Sequence, residues 1–176
     1  MKHTSSLSRL GDLMQLAFVP RDIEAELRYW TQTMGVGPFF HFDHLVLEKA
    51  QYRGEPASID FSVWIAYWGD IQIELIQQHN DAPSIYRSWL EQGREGLHHV
   101  CVVVQSMGEA RRQCAEAGAV VMQEAWLVGG GEAIYVDAGE GLIELIELPQ
   151  ANRDFFAMMK TQAREWDGRD PIRTLG

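Results

Sequence analysis

The sequence predicts an α+β fold in which two repeated β-α-β-β-β modules form a curved mixed sheet around a cup, followed by a C-terminal helix. The first observation is a repeated phrase, because Ile-Glu-Leu-Ile occurs within IQIELIQ at 71–77 and again within GLIELIE at 141–147. The second is that each half carries one helical pattern that ends at a glycine, Gly35 or Gly118. These features place equivalent strands and helices in equivalent positions of the two halves.

The first half begins with the apolar run LMQLAFV, which is short enough to favour a strand. The next stretch has Ile23, Leu27 and Trp30 at helical spacing after an acidic first turn. A polar stretch between two later strands predicts a hairpin loop. The predicted elements are a strand at 13–19, a helix at 20–35, strands at 38–47, 58–68 and 70–77, and the hairpin loop at 48–57.

The second half repeats this order after a linking helix. A final amphipathic segment has Phe155, Met158 and Met159 as its expected anchors on the rest of the protein. The predicted elements are the linking helix at 81–93, a strand at 97–104, a helix at 106–118, strands at 119–128, 132–138 and 141–148, and the last helix at 151–166.

We therefore divide the chain into two modules with shorter flanking segments. The predicted divisions are a flexible N-terminus at 1–11, the first module at 12–78, the linking helix at 79–95, the second module at 96–149, and the C-terminal helix and tail at 150–176.

Composition limits the possible partners. The chain has 25 acidic and 15 basic residues and a net charge of −10, which argues against nucleic acid and against anionic membranes. Its two cysteines, Cys101 and Cys114, show no metal-binding spacing and suit a reducing compartment. No signal peptide or membrane-spanning run is apparent in the sequence. We expect a cytoplasmic protein that acts on a small molecule.

Strand alternation predicts where the polar side chains of the repeat point. Superposing the halves pairs Gln15 with His99 and Glu74 with Glu144. Because side chains alternate across a strand, all four can lie on the cup-lining faces. Two buried carboxylates would repel each other, and a divalent cation relieves that repulsion. We therefore expect these four residues to bind a metal ion, either within one chain or across a dimer.

The donor set limits the metal only broadly. One imidazole, two carboxylates and an amide oxygen suit Zn²⁺, Ni²⁺, Co²⁺, Mn²⁺ or iron, and we take zinc as the first choice. Four protein ligands leave open positions at which the ion can polarise a carbonyl oxygen. Gln15 is the weakest of the four donors, and an alternative role for it is a hydrogen bond to another ligand.

Three further histidines are expected to have structural roles. His98 should point away from the face that carries His99. His41 and His44 lie three residues apart, so they cannot share one face of a regular strand. An alternative is that one of these two lines the cup as a proton carrier.

The repeat and its ligand positions resemble the vicinal oxygen chelate superfamily, which includes glyoxalase I, methylmalonyl-CoA epimerase, extradiol dioxygenases and bleomycin-resistance proteins. The resemblance covers residues 12–149 and is carried by QLAFVPRD, GDIQIELIQ, GLHHVCVVV and GLIELIEL. It implies that Gln15, Glu74, His99 and Glu144 are metal ligands. Their order, Gln-Glu-His-Glu, is similar to that of zinc-using glyoxalase I.

The chain also departs from these relatives. Val19 stands where glyoxalase I has an arginine that holds the glutathione carboxylate, so we expect a substrate that is not linked to glutathione. Gln15 stands where the epimerases usually have histidine. Extradiol dioxygenases use two histidines and one carboxylate on iron, and only His99 matches that set.

The resemblance implies a metal-dependent lyase, isomerase or epimerase that transfers a proton next to a metal-bound carbonyl. The expected substrate is a small hydroxy-carbonyl, a thioester or a related acid. Glu144 is the first choice for the catalytic base and Glu74 the second. The alternative is a metal-free protein that sequesters a small molecule, as in the bleomycin-resistance branch. The resemblance also implies a homodimer.

Overall fold

A computed structural model describes residues 6–175 of the chain. The predicted flexible N-terminus therefore lies partly outside the described residues, which begin just before a short 3₁₀ turn at Leu7–Arg9. The helices are α1 Ile23–Arg28, α2 Ile85–Glu91, α3 Met107–Ala117 and α4 Gln150–Arg164. The strands are β1 Gly11–Phe18, β2 Phe39–Phe42, β3 Leu47–Tyr52, β4 Glu55–Pro56, β5 Phe61–Trp68, β6 Ile71–Gln78, β7 Leu97–Val104, β8 Val120–Leu127, β9 Glu132–Asp137, β10 Leu142–Glu147 and β11 Ile172–Leu175.

The described strands form one curved mixed sheet in the order β11-β2-β5-β6-β1-β7-β10-β9-β8-β3-β4. Its centre is the antiparallel pair of β1 and β7, which are the first strands of the two predicted modules. On either side lies a parallel pair, β1 with β6 and β7 with β10. The predicted α+β fold class is confirmed, and the two Ile-Glu-Leu-Ile strands, β6 and β10, flank the central pair symmetrically.

The hairpin loop predicted at 48–57 is wrong. Most of this segment is β3 and β4, and β3 crosses to the far side of the sheet to pair with β8 of the second half. Its charged residues, Glu48 and Lys49, are exposed while Ala50 is buried. Charged side chains are typical of strands near a sheet edge, where they prevent further pairing, so a polar composition here does not indicate a loop.

The strand predicted at 38–47 is also interrupted. β2 ends at Phe42, and a turn follows in which His44 has a φ of 47°, so the chain leaves extended geometry there. The turn is anchored by a hydrogen bond from the backbone N–H of Leu45 to the carbonyl of Phe61, 2.8 Å long.

Side-chain caps set where three helices begin. Asp22, Ser84 and Ser106 each accept a hydrogen bond from a backbone N–H in the first turn of α1, α2 and α3. α1 continues as a π-helical turn over Tyr29–Thr33, and α3 ends at Gly118, whose φ of 75° suits glycine. The predicted helices at 20–35, 81–93 and 106–118 are therefore present, and each is shorter than predicted.

The two faces of the sheet carry separate apolar cores, as alternation along each strand requires. Leu75 of β6 packs with residues of α1 and its π-helical extension, and Leu145 of β10 packs with residues of α3. The opposite faces of the same strands share one large core inside the cup. That core includes Ala17, Val19, Ile76, Cys101 and Ile146.

The last helix, α4, covers the cup. Met159 is fully buried in the cup core, and Phe155 packs edge-on to Phe42 with ring centroids 5.8 Å apart. Met158, predicted as an anchor, is instead 36% exposed. An ion pair of 2.7 Å between Lys160 and Asp70 ties the helix to the turn between β5 and β6.

β11 follows α4 and pairs in parallel with β2, an edge strand that the sequence did not predict. Among the described helices, none has the length and apolarity needed to cross a membrane.

Candidate metal and proton-transfer site

The sheet brings the four predicted ligand residues together at its centre within a single chain. Nε2 of His99 lies 3.3 Å from Oε2 of Glu144 and 3.9 Å from Oε2 of Glu74. Gln15 contacts the carboxylate of Glu74, and this contact favours the ionised form of Glu74 because it lowers the pKa of that group. The convergence follows from the strand order, because β1 and β7 are adjacent and β6 and β10 flank them. Gln15, His99 and Glu144 are each at most 5% exposed.

A chain of hydrogen bonds fixes the proton on His99. Nε2 of His98 lies 3.3 Å from the carbonyl oxygen of Ile85, and Nδ1 of His98 lies 2.8 Å from Nδ1 of His99. The carbonyl can only accept, so His98 donates from Nε2 and its Nδ1 accepts. His99 therefore carries its proton on Nδ1. The Nε2 of His99 then presents a lone pair toward the two carboxylates, and this buried atom has no hydrogen-bond partner.

A bulge in β7 explains why His98 can reach His99. Ala17 pairs with His99 while the next residue, Phe18, pairs with Leu97, so His98 is the extra residue on β7. A bulge breaks the alternation of side chains and re-aims the extra residue. The expectation that His98 simply faces away from His99 does not hold for this reason. Burial is the largest of the effects that lower the pKa of His98, to about 3, so its ring is neutral.

Gln15 is oriented by a second chain of hydrogen bonds. Its Nε2 donates to Oε1 of Gln72 at 3.0 Å, and Nε2 of Gln72 donates to the hydroxyl of Tyr67 at 2.7 Å. Gln72 is fully buried and shares the cup face of β6 with Glu74. Because Gln15 uses its nitrogen on Gln72, its amide oxygen is left for another partner.

The two carboxylates have different environments. Burial and the nearby charge of Glu144 raise the pKa of Glu74 well above its usual value. Burial acts in the same direction on Glu144. Interactions with His99, which lower its pKa when a proton lies between Nε2 and the carboxylate, and contacts with Cys101 and Tyr135 outweigh the burial and lower the pKa of Glu144. In the protein without a cation, Glu144 is therefore ionised and Glu74 tends to hold a proton.

Two tyrosines extend the site beyond the predicted residues. The hydroxyl of Tyr86 donates to that of Tyr135 at 3.2 Å, and Tyr135 contacts Glu144. Burial raises the pKa of both tyrosines, so both remain protonated. Neither tyrosine is among the residues that the sequence predicts for the site, since Tyr135 lies on β9 and Tyr86 on the linking helix α2. A tyrosine on the buried face of that helix was the available signal.

A cavity of about 160 Å³ opens between the carboxylates and α4. Its polar lining residues are Gln15, Glu74, Tyr86, Gln123, Tyr135, Glu144 and Asn152. The rest of the lining is apolar and includes Phe155 and Phe156 of α4. No lysine, arginine or histidine lines it among the residues described. The cavity can enclose a small, mainly apolar molecule with its polar group next to Glu74 and Glu144.

Two histidines considered as proton carriers lie away from this cavity. Neither His41 nor His44 lines it, and both face an exposed group of polar residues at the end of β2. Trp64 packs on the α1 side of the sheet, and Trp68 is 54% exposed, so neither forms the wall of the cavity.

Comparisons with solved structures find the same fold. A hypothetical protein from Bacillus halodurans matches with a TM-score of 0.59 and 16% identity, over 79% of this chain and 95% of that one. Methylmalonyl-CoA epimerase from Mycobacterium tuberculosis matches with a TM-score of 0.57 and 16% identity, over 86% and 97% of the two chains. A Streptomyces coelicolor methylmalonyl-CoA epimerase in complex with 2-nitronate-propionyl-CoA has a TM-score of 0.56 and 14% identity, over 80% and 96%.

The sequence comparisons give the family. No curated protein matches the chain. A family model does match, over residues 14–136, which span β1 to β9 and contain three of the four predicted ligands. Together with the two-module sheet, this match shows that the chain belongs to the glyoxalase/bleomycin resistance protein/dioxygenase superfamily.

Proposed function

We propose that the protein is a metal-dependent lyase, isomerase or epimerase that transfers a proton next to a carbonyl group of a small substrate. The observation that carries the proposal is the unpartnered Nε2 of His99, which presents a lone pair toward Glu74 and Glu144. A lone pair facing two carboxylates is repulsive unless a cation or a proton lies between them. A divalent cation fits this arrangement.

The residues around the ligands also favour a metal. A ligating histidine usually donates its other ring N–H to a neighbouring acceptor, which fixes the ring and its tautomer. His98 fills that role for His99, and Gln72 orients Gln15 in a similar way. Gln15, Glu74, His99 and Glu144 would hold the ion. Zinc is our first choice, and nickel, cobalt and manganese suit the same nitrogen and oxygen donors.

Glu144 is proposed as the base. A bound cation would supply Lewis-acid polarisation of a substrate carbonyl. Glu144 lines the cavity, and its contact with Tyr135 favours the ionised carboxylate, so it can accept a proton from the carbon beside that carbonyl. Tyr135 holds the Glu144 carboxylate in place, and Glu74 on the neighbouring wall is the second candidate for returning the proton.

The cavity favours a substrate without strong negative charge. No basic side chain lines it within the described part of the chain, so a bound cation would be its single positive partner. Val19, in place of an arginine, is buried in the cup core. We therefore propose a neutral hydroxy-carbonyl or a thioester with an uncharged acyl group, and we do not expect a glutathione conjugate.

Metal binding is tested by calorimetric titration of chelator-treated protein with Zn²⁺. Replacing Glu144 or Glu74 by glutamine should weaken binding by more than about 100-fold, because each removes a charged ligand. Glu48→Gln makes the same charge change at an exposed position on β3 and should leave binding unchanged. If neither variant loses a Zn²⁺ site that the wild-type protein has, the proposal of a metal-dependent enzyme is wrong. The cavity would then suit a metal-free protein that sequesters a small molecule.

Proton transfer is tested in deuterated water with Zn²⁺-loaded protein and a panel of neutral α-hydroxy carbonyls and thioesters. Wild-type protein should exchange the α-proton of a bound compound, and Glu144→Gln should abolish that exchange. Exchange at the wild-type rate in Glu144→Gln would remove Glu144 from the mechanism.

The homodimer and the cytoplasmic location remain predictions, and sedimentation analysis tests the homodimer.

A further inference from the structure

A second group of metal-ligating side chains lies outside the cavity. Asp43 and His44 occupy the turn after β2, and His79 directly follows β6. One ligand atom from each lies within 4.8 Å of the others, and all three residues are exposed. None of them lines the cavity, so this group is independent of the site proposed above.

His44 is oriented by a carboxylate. Its Nδ1 lies 2.6 Å from Oδ1 of Asp60, so Nδ1 carries a proton that it donates to that oxygen. The hydrogen bond raises the pKa of His44. The other ring nitrogen, Nε2, lies 3.9 Å from Oδ1 of Asp43, which is too far for a hydrogen bond. A carboxylate behind an imidazole is a common arrangement at metal sites.

His79 is oriented by Ser62, which is fully buried. The Ser62 hydroxyl lies 2.9 Å from Oδ1 of Asp43 and 2.7 Å from Nε2 of His79, and it accepts from the backbone N–H of His44 at 3.0 Å. Since the carboxylate only accepts, Ser62 gives its one proton to Asp43, and Nε2 of His79 must donate to Ser62. In the neutral ring this leaves Nδ1 of His79 with a free lone pair.

A third imidazole faces the same carboxylate. The ring of His41 stacks on Trp64 with centroids 4.2 Å apart and planes 4° apart. Its Nε2 is buried without a hydrogen-bond partner and lies 3.7 Å from Oδ1 of Asp43. This unpaired nitrogen is a second observation, separate from the exposed trio, that points to a missing partner beside Asp43.

We propose that Asp43, His44 and His79 bind a borderline divalent cation such as Zn²⁺, with His41 as an adjacent nitrogen donor. Nitrogen and carboxylate ligands lie about 2.0–2.2 Å from zinc, so two ligands on one ion are at most about 4.3 Å apart. The 3.9 Å between Nε2 of His44 and Oδ1 of Asp43 meets that limit. The ligand atoms of the whole trio lie within 4.8 Å of one another, so they would approach by at most about 0.5 Å on binding. Imidazole donors favour Zn²⁺, Ni²⁺, Cu²⁺ or Co²⁺ over Mg²⁺ and Ca²⁺.

The ion would have a structural effect on the cavity. It would tie the turn after β2 to the start of β5, through Asp60 and Ser62, and to the end of β6. Phe42 and Leu45, which flank the turn, both line the cavity. Occupancy of this site would therefore hold one wall of the cavity in place.

The test is a Zn²⁺ titration of the full chain after chelator treatment, followed by calorimetry. The double variant His44→Gln/His79→Gln should lose one equivalent of Zn²⁺, with affinity at that site falling by more than about 100-fold. Asp12→Asn removes an exposed aspartate away from the cluster and should lose none. Mg²⁺ should not compete. An unchanged number of sites and unchanged affinity in the double variant would overturn the proposal.

The two metal proposals are separated by the Glu74→Gln/Glu144→Gln variant. If the cluster binds metal, this variant still takes up one equivalent, and nitrogen NMR of the histidine rings shows Zn²⁺ bound to one ring nitrogen each of His44 and His79. If this variant binds no Zn²⁺, the cluster proposal is overturned and the cavity site stands. If it binds as much as wild type while the double histidine variant loses its site, the cavity proposal fails instead.

Discussion

Replacing His98 by leucine tests the hydrogen-bond chain that fixes His99. His98 is 3% exposed and bonds to Nδ1 of His99 and to the carbonyl of Ile85. Leucine leaves a buried N–H and a buried carbonyl unpaired, each costing about 1–3 kcal/mol. Part of that loss is offset by the apolar side chain, so we expect a net destabilisation of about 2–4 kcal/mol. Zn²⁺ affinity should also fall by about 10–100-fold, because the His99 tautomer is no longer fixed.

His98→Gln is the matched control, since its amide can accept from His99 and donate to Ile85. Urea unfolding of chelator-treated protein measures the stability, and Zn²⁺ calorimetry measures the affinity. Glutamine should keep most of both. The reasoning is refuted if His98→Leu binds Zn²⁺ as tightly as wild type, or if glutamine is as damaging as leucine.

Three further outcomes follow from burial and charge. Because the pKa of His98 is lowered to about 3, this side chain takes up its proton in the unfolded state at a higher pH than in the folded state. The free energy of unfolding of metal-free wild type, measured with urea, should therefore fall from about pH 6.5 toward pH 3, and it should fall less steeply in His98→Gln. Because the pKa of Glu74 is raised, its ionisation opposes folding as the pH rises above about 4.5. Urea unfolding of metal-free protein should show Glu74→Gln about 1–3 kcal/mol more stable than wild type at pH 8, with no such difference at pH 4. Met159→Ala should cost about 2–4 kcal/mol because Met159 is fully buried, whereas thermal unfolding of Met158→Ala should differ little from wild type, and equal losses would contradict the packing of α4.

The candidate site was predictable because it depends on local periodicity and on a repeat. Alternation along β1, β6, β7 and β10 indicates which face of its own strand each ligand residue occupies, and the strand order brings these faces together. The repeated Ile-Glu-Leu-Ile strands then put the two carboxylates at equivalent positions.

The partners of these residues were not predictable, because they depend on contacts between distant segments. His98 reaches His99 only through a bulge in β7, and it is held by Ile85 of α2. Tyr86 reaches Tyr135 only because α2 packs inside the cup. Neither contact leaves a pattern in the local sequence.

The sequence by itself determined the α+β class, the repeated order of elements and the strand face on which each of the four polar residues lies, since periods of two and 3.6 residues are local properties of the chain. Only the tertiary structure decided the rest. In the folded protein β3 pairs with β8, and the candidate site lies within one chain. The side chains of His41, Asp43, His44 and His79 lie together outside the cavity. Such pairings depend on which buried surfaces fit together, and that fit is a property of the whole fold.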